Sequence, residues 1–168
     1  MNLILSDRPL ELPDLNPRTT TYIDLSQLHI ANCVGCFGCW VKTPGKCVIR
    51  DDAVRVYPRI AESSRVLYVS RIQFGSYDTP MKTMLERAIP VQQAFIRLWH
   101  GEAHHVQRRV LPKQATIIGY GDISAEEQGV FRRLVARNAY NMNFESYQVH
   151  FVPEANVQNA VWEEVRSW

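Results

Sequence analysis

The sequence predicts an α/β fold, a five-stranded parallel sheet with helices on both faces. Five short runs rich in β-branched and aromatic residues recur along its 168 residues. Helix start signals fall between them, and no internal repeat or low-complexity linker breaks the alternation. At 46% hydrophobic and 21% charged, the chain carries enough apolar side chains for one core, so residues 1–168 are expected to form a single domain.

Asn2 to Leu5 is the first strand and Thr20 to Leu25 the second. Asp51 or Asp52 is placed to cap a short helix through Ile60, its carboxylate accepting the free amides of the first turn, with Pro58 kinking it. RVLYVS, 65–70, reads as a buried third strand, and RIQFGSYD after it as a polar loop. Thr79 and Pro80 read as N-cap and first helical position, where the missing proline amide costs nothing. That helix runs to about Ile89, and VQQAFIRLWH is expected to continue as helix beyond Pro90. QATIIGYGD, 114–122, is the next strand with its loop. Ser124 and Glu127 form a capping box ahead of the amphipathic run EEQGVFRRLVARNAY. SYQVHFV, 146–152, is the last strand, and NVQNAVWEEVRSW a closing helix whose Trp162, Val165 and Trp168 share one stripe for docking on the sheet or on a second subunit.

Charge and hydropathy exclude some functions. A net charge of +2 gives no global pull toward nucleic acid or an anionic membrane, and neither is expected as a partner. No apolar run reaches the length of a membrane span, and MNLILSDRP lacks the basic start and long apolar core of a signal peptide, so a cytoplasmic chain is expected. Arg97, His100, His104, His105, Arg108, Arg109 and Lys113 form a basic stretch that reads as a solvated helix end and loop, or as an attractor for the phosphates of a nicotinamide cofactor. His100 and His104 would share one helical face, a weak metal pair with only Glu102 beside it.

All four cysteines fall in CVGCFGCWVKTPGKC, residues 33–47. A reducing compartment disfavours a permanent disulfide staple. The spacing C-x2-C-x2-C-x7-C suits three thiolates on one iron–sulfur cubane with a fourth ligand further on, so Cys33, Cys36, Cys39 and Cys47 are the candidate metal ligands for a 4Fe–4S cluster. Zinc prefers paired knuckles set well apart, a C-x2-C pair can act as a dithiol, and unliganded or regulatory thiols stay open as well.

CVGCFGCWVKTPGKCVIRDD, then a buried strand, then MKTMLERAIP resembles the flavodoxin-like NAD(P)H-dependent FMN reductases and the related iron–sulfur flavoproteins over most of Cys33 to Arg87, with weaker agreement at GYGD and ARNAYN. The resemblance implies a three-layer sandwich with strand order 2-1-3-4-5 and FMN over the carboxyl ends of the first, third and fourth strands. The flavin contacts would then fall on Phe74, Gly75, Ser76, Tyr77, Gly119, Tyr120, Gly121 and Asp122, with the cysteines beside the flavin. Phe74 and Tyr77 could stack on the ring or pack on the domain edge, and Gly119 to Gly121 reads equally as a plain turn. Lys82 and Arg87 match the family's helix and otherwise read as capping or pairing on a helix surface.

Two departures accompany the resemblance. Relatives follow the first strand with a phosphate-binding loop and a helix; here SDRPLELPDLNPRT, with Pro9, Pro13 and Pro17, leaves no room for both, so the first helix is expected to be missing. Arg71 and Gln73 also replace the usual Pro-x-Tyr, and Arg8, Arg18 or Arg71 are the residues left to meet a phosphate. The implied chemistry is hydride transfer from NAD(P)H to FMN and on to a small-molecule or protein acceptor, with a cluster adding a one-electron relay, in a homodimer or higher homo-oligomer. The alternative is a degenerate domain that no longer binds FMN and acts as an interaction or regulatory module.

Overall fold

The computed structural model describes residues 1–166 and 168. Its main sheet is parallel, in the order β2 (Thr20–Asp24), β1 (Asn2–Ser6), β3 (Arg65–Gln73), β7 (Lys113–Tyr120), β8 (Phe144–Val152). This is the 2-1-3-4-5 order of a flavodoxin-like sandwich.

Period-two alternation sorts the core. Leu3, Leu5, Val66, Tyr68, Ala115 and Ile117 face one side, where α2 (Ala53–Glu62), α3 (Thr79–Glu86) and α4 (Ala125–Met142) pack through Val56, Ile60, Met81, Met84, Phe131 and Val135. Ile4, Leu67, Val69, Ile118 and Tyr120 face the other, against Val157, Val161 and Val165 of α5 (Val157–Val165). The buried stripe of α5 is thus valine; Trp162 instead donates its indole N–H to Glu11 O at 2.6 Å.

The missing first helix is real among the described residues: 7–19 contain no helix. Leu10, Leu12 and Leu15 of this extended strap pack on the α5 face, where a helix between β1 and β2 would lie. The strap is held by Tyr22 and Gln158 side chains, which accept the Leu10 and Glu11 amides.

Three expectations are corrected. VQQAFIRLWH is not helix: β5 (Gln92–Trp99) and β6 (Glu102–Gln107) form an antiparallel hairpin turning at His100 and Gly101, both left-handed, with φ of 51° and 78°. Phe95, Ile96 and Trp99 suit a pleated ribbon better than a helix. His100 and His104 therefore share no helical face; His100 stacks on Tyr140, and His104 lies between Glu102 and Asn141 at 3.0 and 3.1 Å. Nor is 71–78 a loop, since β3 runs on to Gln73, turns at left-handed Phe74 and Gly75, and returns as β4 (Ser76–Tyr77). Finally, the N-cap of α3 is Asp78, which accepts the Thr79 amide at 2.6 Å, so Thr79 and Pro80 each sit one position later than expected. The Ser124–Glu127 capping box forms as read.

Candidate functional site

Two neighbourhoods hold the expected site residues. The first is the carboxyl edge of the sheet, where β1, β3 and β7 end. Asp7, one residue past β1, occupies its centre: Oδ2 accepts the Arg71 backbone N–H at 2.7 Å and lies 2.9 Å from the Ser70 hydroxyl, and Oδ1 accepts the Tyr120 hydroxyl at 2.8 Å. Burial pushes the Asp7 carboxyl above its ordinary range, against these three donors. Tyr120, also driven upward by burial, keeps its proton and donates it. Arg8 lies 5.4 Å from the Tyr120 ring centroid and pairs with Glu154 at 3.0 Å on the surface.

Around Asp7, the expected flavin residues divide by role. Tyr77 is buried edge-on against Phe131, centroids 4.8 Å apart. Gly75 is held on α4, where a Cβ would come within 2.6 Å of Val130. Gly119 is not in a turn but inside β7, where a Cβ would meet Ile72 at 2.8 Å. That leaves Phe74, 91% exposed at its hairpin tip with its amide bonded to Glu127, and the loop after β7, where Gly121 is half-buried and Asp122 exposed. Gly121, with φ 124°, turns the chain beside Arg71 and Ile72, where a Cβ would sit 3.8 Å from both.

The second neighbourhood is the cysteine segment, which contains the short helix α1 (Gly38–Val41). All four cysteines line one small cavity of about 30 Å³ with Val34, Phe37, Ile49 and Arg87. Cys33 and Cys36 are exposed, Cys47 is half-buried and Cys39 is buried; burial, then the nearby Cys47, pushes the Cys39 thiol up. Among the described residues no three His, Cys, Asp or Glu side chains form a group that could hold a metal ion. The four thiols share the lining of one cavity, and nothing further in the geometry of the described residues supports a cluster.

Asp7 is the residue the sequence did not single out; Arg87, expected to cap or pair on a helix surface, does cap α3 and pairs with Asp51, but from a buried position. Arg87 is 1% exposed rather than on a helix surface. Its Nη1 donates to Asp51 and to Ala31 O at 2.7 and 2.6 Å; its Nη2 donates to Asp51 at 2.9 Å and approaches Ile49 O and Cys47 Sγ at 3.4 Å. Burial opposes ionisation of Asp51, yet the Arg87 hydrogen bonds hold its carboxyl below the ordinary range. One guanidinium thus ties both ends of the cysteine segment to α3.

A separate cavity of about 480 Å³ lies between α3, α4 and the β5–β6 hairpin, lined by Tyr68, Leu85, Leu134 and Phe144; of the expected flavin residues it touches only Ser76 and Tyr77.

No known protein-family profile matches the chain. Over 76 residues it is 29% identical to an iron-sulfur flavoprotein of Methanocaldococcus jannaschii, a match spanning 45% of this chain and 38% of that relative. In fold it is similar to an NAD(P)H:quinone oxidoreductase of Methanothermobacter marburgensis, with a TM-score of 0.60, 9% identity and coverage of 99% of this chain and 95% of the other. It is also similar to an azoreductase of Bacillus anthracis, with a TM-score of 0.59, 9% identity and coverage of 99% and 92%. An FMN-dependent NADH-azoreductase from the same species, solved with FMN, gives 0.54, 10%, 99% and 95%. At these identities the solved structures establish the fold, and the partial sequence match supports the resemblance to the flavodoxin-like FMN reductases and iron–sulfur flavoproteins.

Proposed function

From a flavodoxin-like chain of this kind, we propose a flavin-dependent oxidoreductase or electron-transfer protein that takes electrons from NAD(P)H and passes them to a small-molecule or protein acceptor. The observation that carries the reading is the carboxyl edge: Phe74 offers an exposed aromatic face at the turn after β3, and the Gly121–Asp122 loop follows the neighbouring strand β7, beside the sheet's β1/β3 switch point. A bound flavin supplies the hydride chemistry. The chain's part is to seat the ring against these two segments, with Phe74 as the stacking partner and Glu127 fixing its backbone. The four thiols take no part in this reading.

The test is a spectrum of the anaerobically purified chain after incubation with FMN or riboflavin and gel filtration. Retained flavin bands that bleach on addition of NADH or NADPH are expected. A colourless protein with both flavins would sink the reading and return the interaction-module alternative.

A second copy of the chain is the partner we propose. Among the described residues strand β5 pairs only with β6, leaving an open edge, and it exposes Phe95, Ile96 and Leu98 at 72%, 66% and 82%. A long apolar edge strand left unpaired is an invitation to association. Light scattering coupled to gel filtration should give a dimer or larger species that Ile96→Lys with Leu98→Lys reduces to monomer; a monomeric wild type would refute it. Among the described residues no helix is long and apolar enough to cross a membrane.

A further inference from the structure

We infer that the strand-end site selects a flavin whose side chain ends in an alcohol, as in riboflavin, over one that ends in a phosphate; this rests on the flavin reading above and specifies its ligand. A phosphate site at the end of a parallel strand needs free backbone N–H groups, normally the first turn of the following helix. Here every amide from 7 to 11 is committed or absent. Asp7 N–H donates to Val69 O at 3.1 Å, Arg8 N–H to Ser6 Oγ at 3.3 Å, Leu10 N–H to Tyr22 Oη at 2.9 Å, and Glu11 N–H to Gln158 Oε1 at 3.1 Å; Pro9 has none. No helix follows to add a dipole, since 7–19 are not helical.

The donors that could still meet an anion, the Arg71 amide and the hydroxyls of Ser70 and Tyr120, already face one, the Asp7 carboxylate. Of the cations near this edge, Arg8 already pairs with Glu154, Asp78 adds negative charge toward Asp7, and the exposed Arg71 side chain is the one left to draw an anion against the Asp7 charge. The switch point thus holds an internal anion where a ligand phosphate would arrive, and like charges at close range repel by several-fold more at a partly buried site than in open water. A carboxylate has about four lone-pair positions and three are used, so one remains to accept a hydroxyl. A ribityl alcohol supplies that hydroxyl; a phosphate dianion cannot.

The experiment is parallel titration of the full chain with riboflavin and with FMN, read by quenching of flavin fluorescence at low and moderate salt. Riboflavin is expected to bind at least about tenfold tighter than FMN, and the gap should narrow as salt screens the Asp7 charge. Asp7→Asn removes the charge and brings the ratio toward one. FMN binding as tightly as riboflavin or tighter in the wild-type chain would overturn the inference while leaving the flavin reading intact, and this comparison needs no variant to fold. Binding of neither flavin would overturn both. A preference for riboflavin that is unchanged by salt and by Asp7→Asn would overturn the assignment to Asp7.

Discussion

Arg87→Met is expected to lower the free energy of unfolding by about 3–5 kcal/mol, the usual consequence of removing one partner of a buried, hydrogen-bonded ion pair. The methionine fills most of the volume, so the loss comes from what is left behind. Asp51 keeps the Ala31 and Ala53 amides but loses its counter-charge at an accessibility of 16%, and the Ala31 and Ile49 carbonyls lose a buried donor. Arg87→Lys should recover only part of the loss, because a single ammonium cannot span Ala31 O and Ile49 O while holding both Asp51 oxygens. Urea midpoints followed by circular dichroism measure the stability. Thiol labelling measures the local consequence: Cys39, now buried, should react faster once the segment is released from α3. A change below about 1 kcal/mol with unaltered labelling would mean that the cysteine segment is held by its apolar contacts alone.

The difference between Arg87 and the sheet explains what the sequence could reveal. The strands were legible because their alternation is local: Leu3 and Leu5 against Ile4, Val66 and Tyr68 against Leu67, all within a few residues. The strand-end edge followed from the general rule for parallel sheets. The burial of Arg87 was illegible because its partners, Ala31, Cys47, Ile49 and Asp51, lie 36 to 56 residues away in sequence, and a basic residue closing an amphipathic helix reads as surface. Asp7 had a faint signal, a lone acid directly after the first apolar run and two residues before a proline, but its meaning depends on Ser70, Arg71 and Tyr120 reaching the same point. The hairpin at 92–107 was misread because Val91, Phe95 and Leu98 fit a helical stripe as well as a ribbon. The deciding residue, His100, takes the left-handed conformation usually left to Asn or Gly, which sequence alone does not announce. Phe74 repeats the same device in the turn between β3 and β4.

Lys113 gives a large expected pH effect in the mildly alkaline range. Its side chain is fully buried at the start of β7, where Nζ donates to Leu111 O at 2.6 Å and to Met142 O, at the end of α4, at 3.3 Å. The carbonyls and the helix end favour the ammonium. Burial nonetheless dominates and pushes the Lys113 pKa down to about 8 from a lysine's ordinary 10.5. In the unfolded chain the proton is held up to about 10.5, whereas in the fold it leaves near 8. Below 8 both states are protonated and the fold carries the whole cost of the buried charge, about 3 kcal/mol for that gap. As pH rises from 8 to 10.5, the folded state is neutral while the unfolded state still holds its proton, so the cost is relieved and this contribution to stability grows. Other groups titrate over the same range, and comparison with Lys113→Met cancels them, because only the wild-type chain carries the lysine. Urea midpoints at pH 7, 8.5 and 10 should therefore show the wild type gaining on the variant by about 2–3 kcal/mol across the series. A constant difference would mean that the two carbonyls hold the ammonium charged throughout, and that its burial is compensated where it sits.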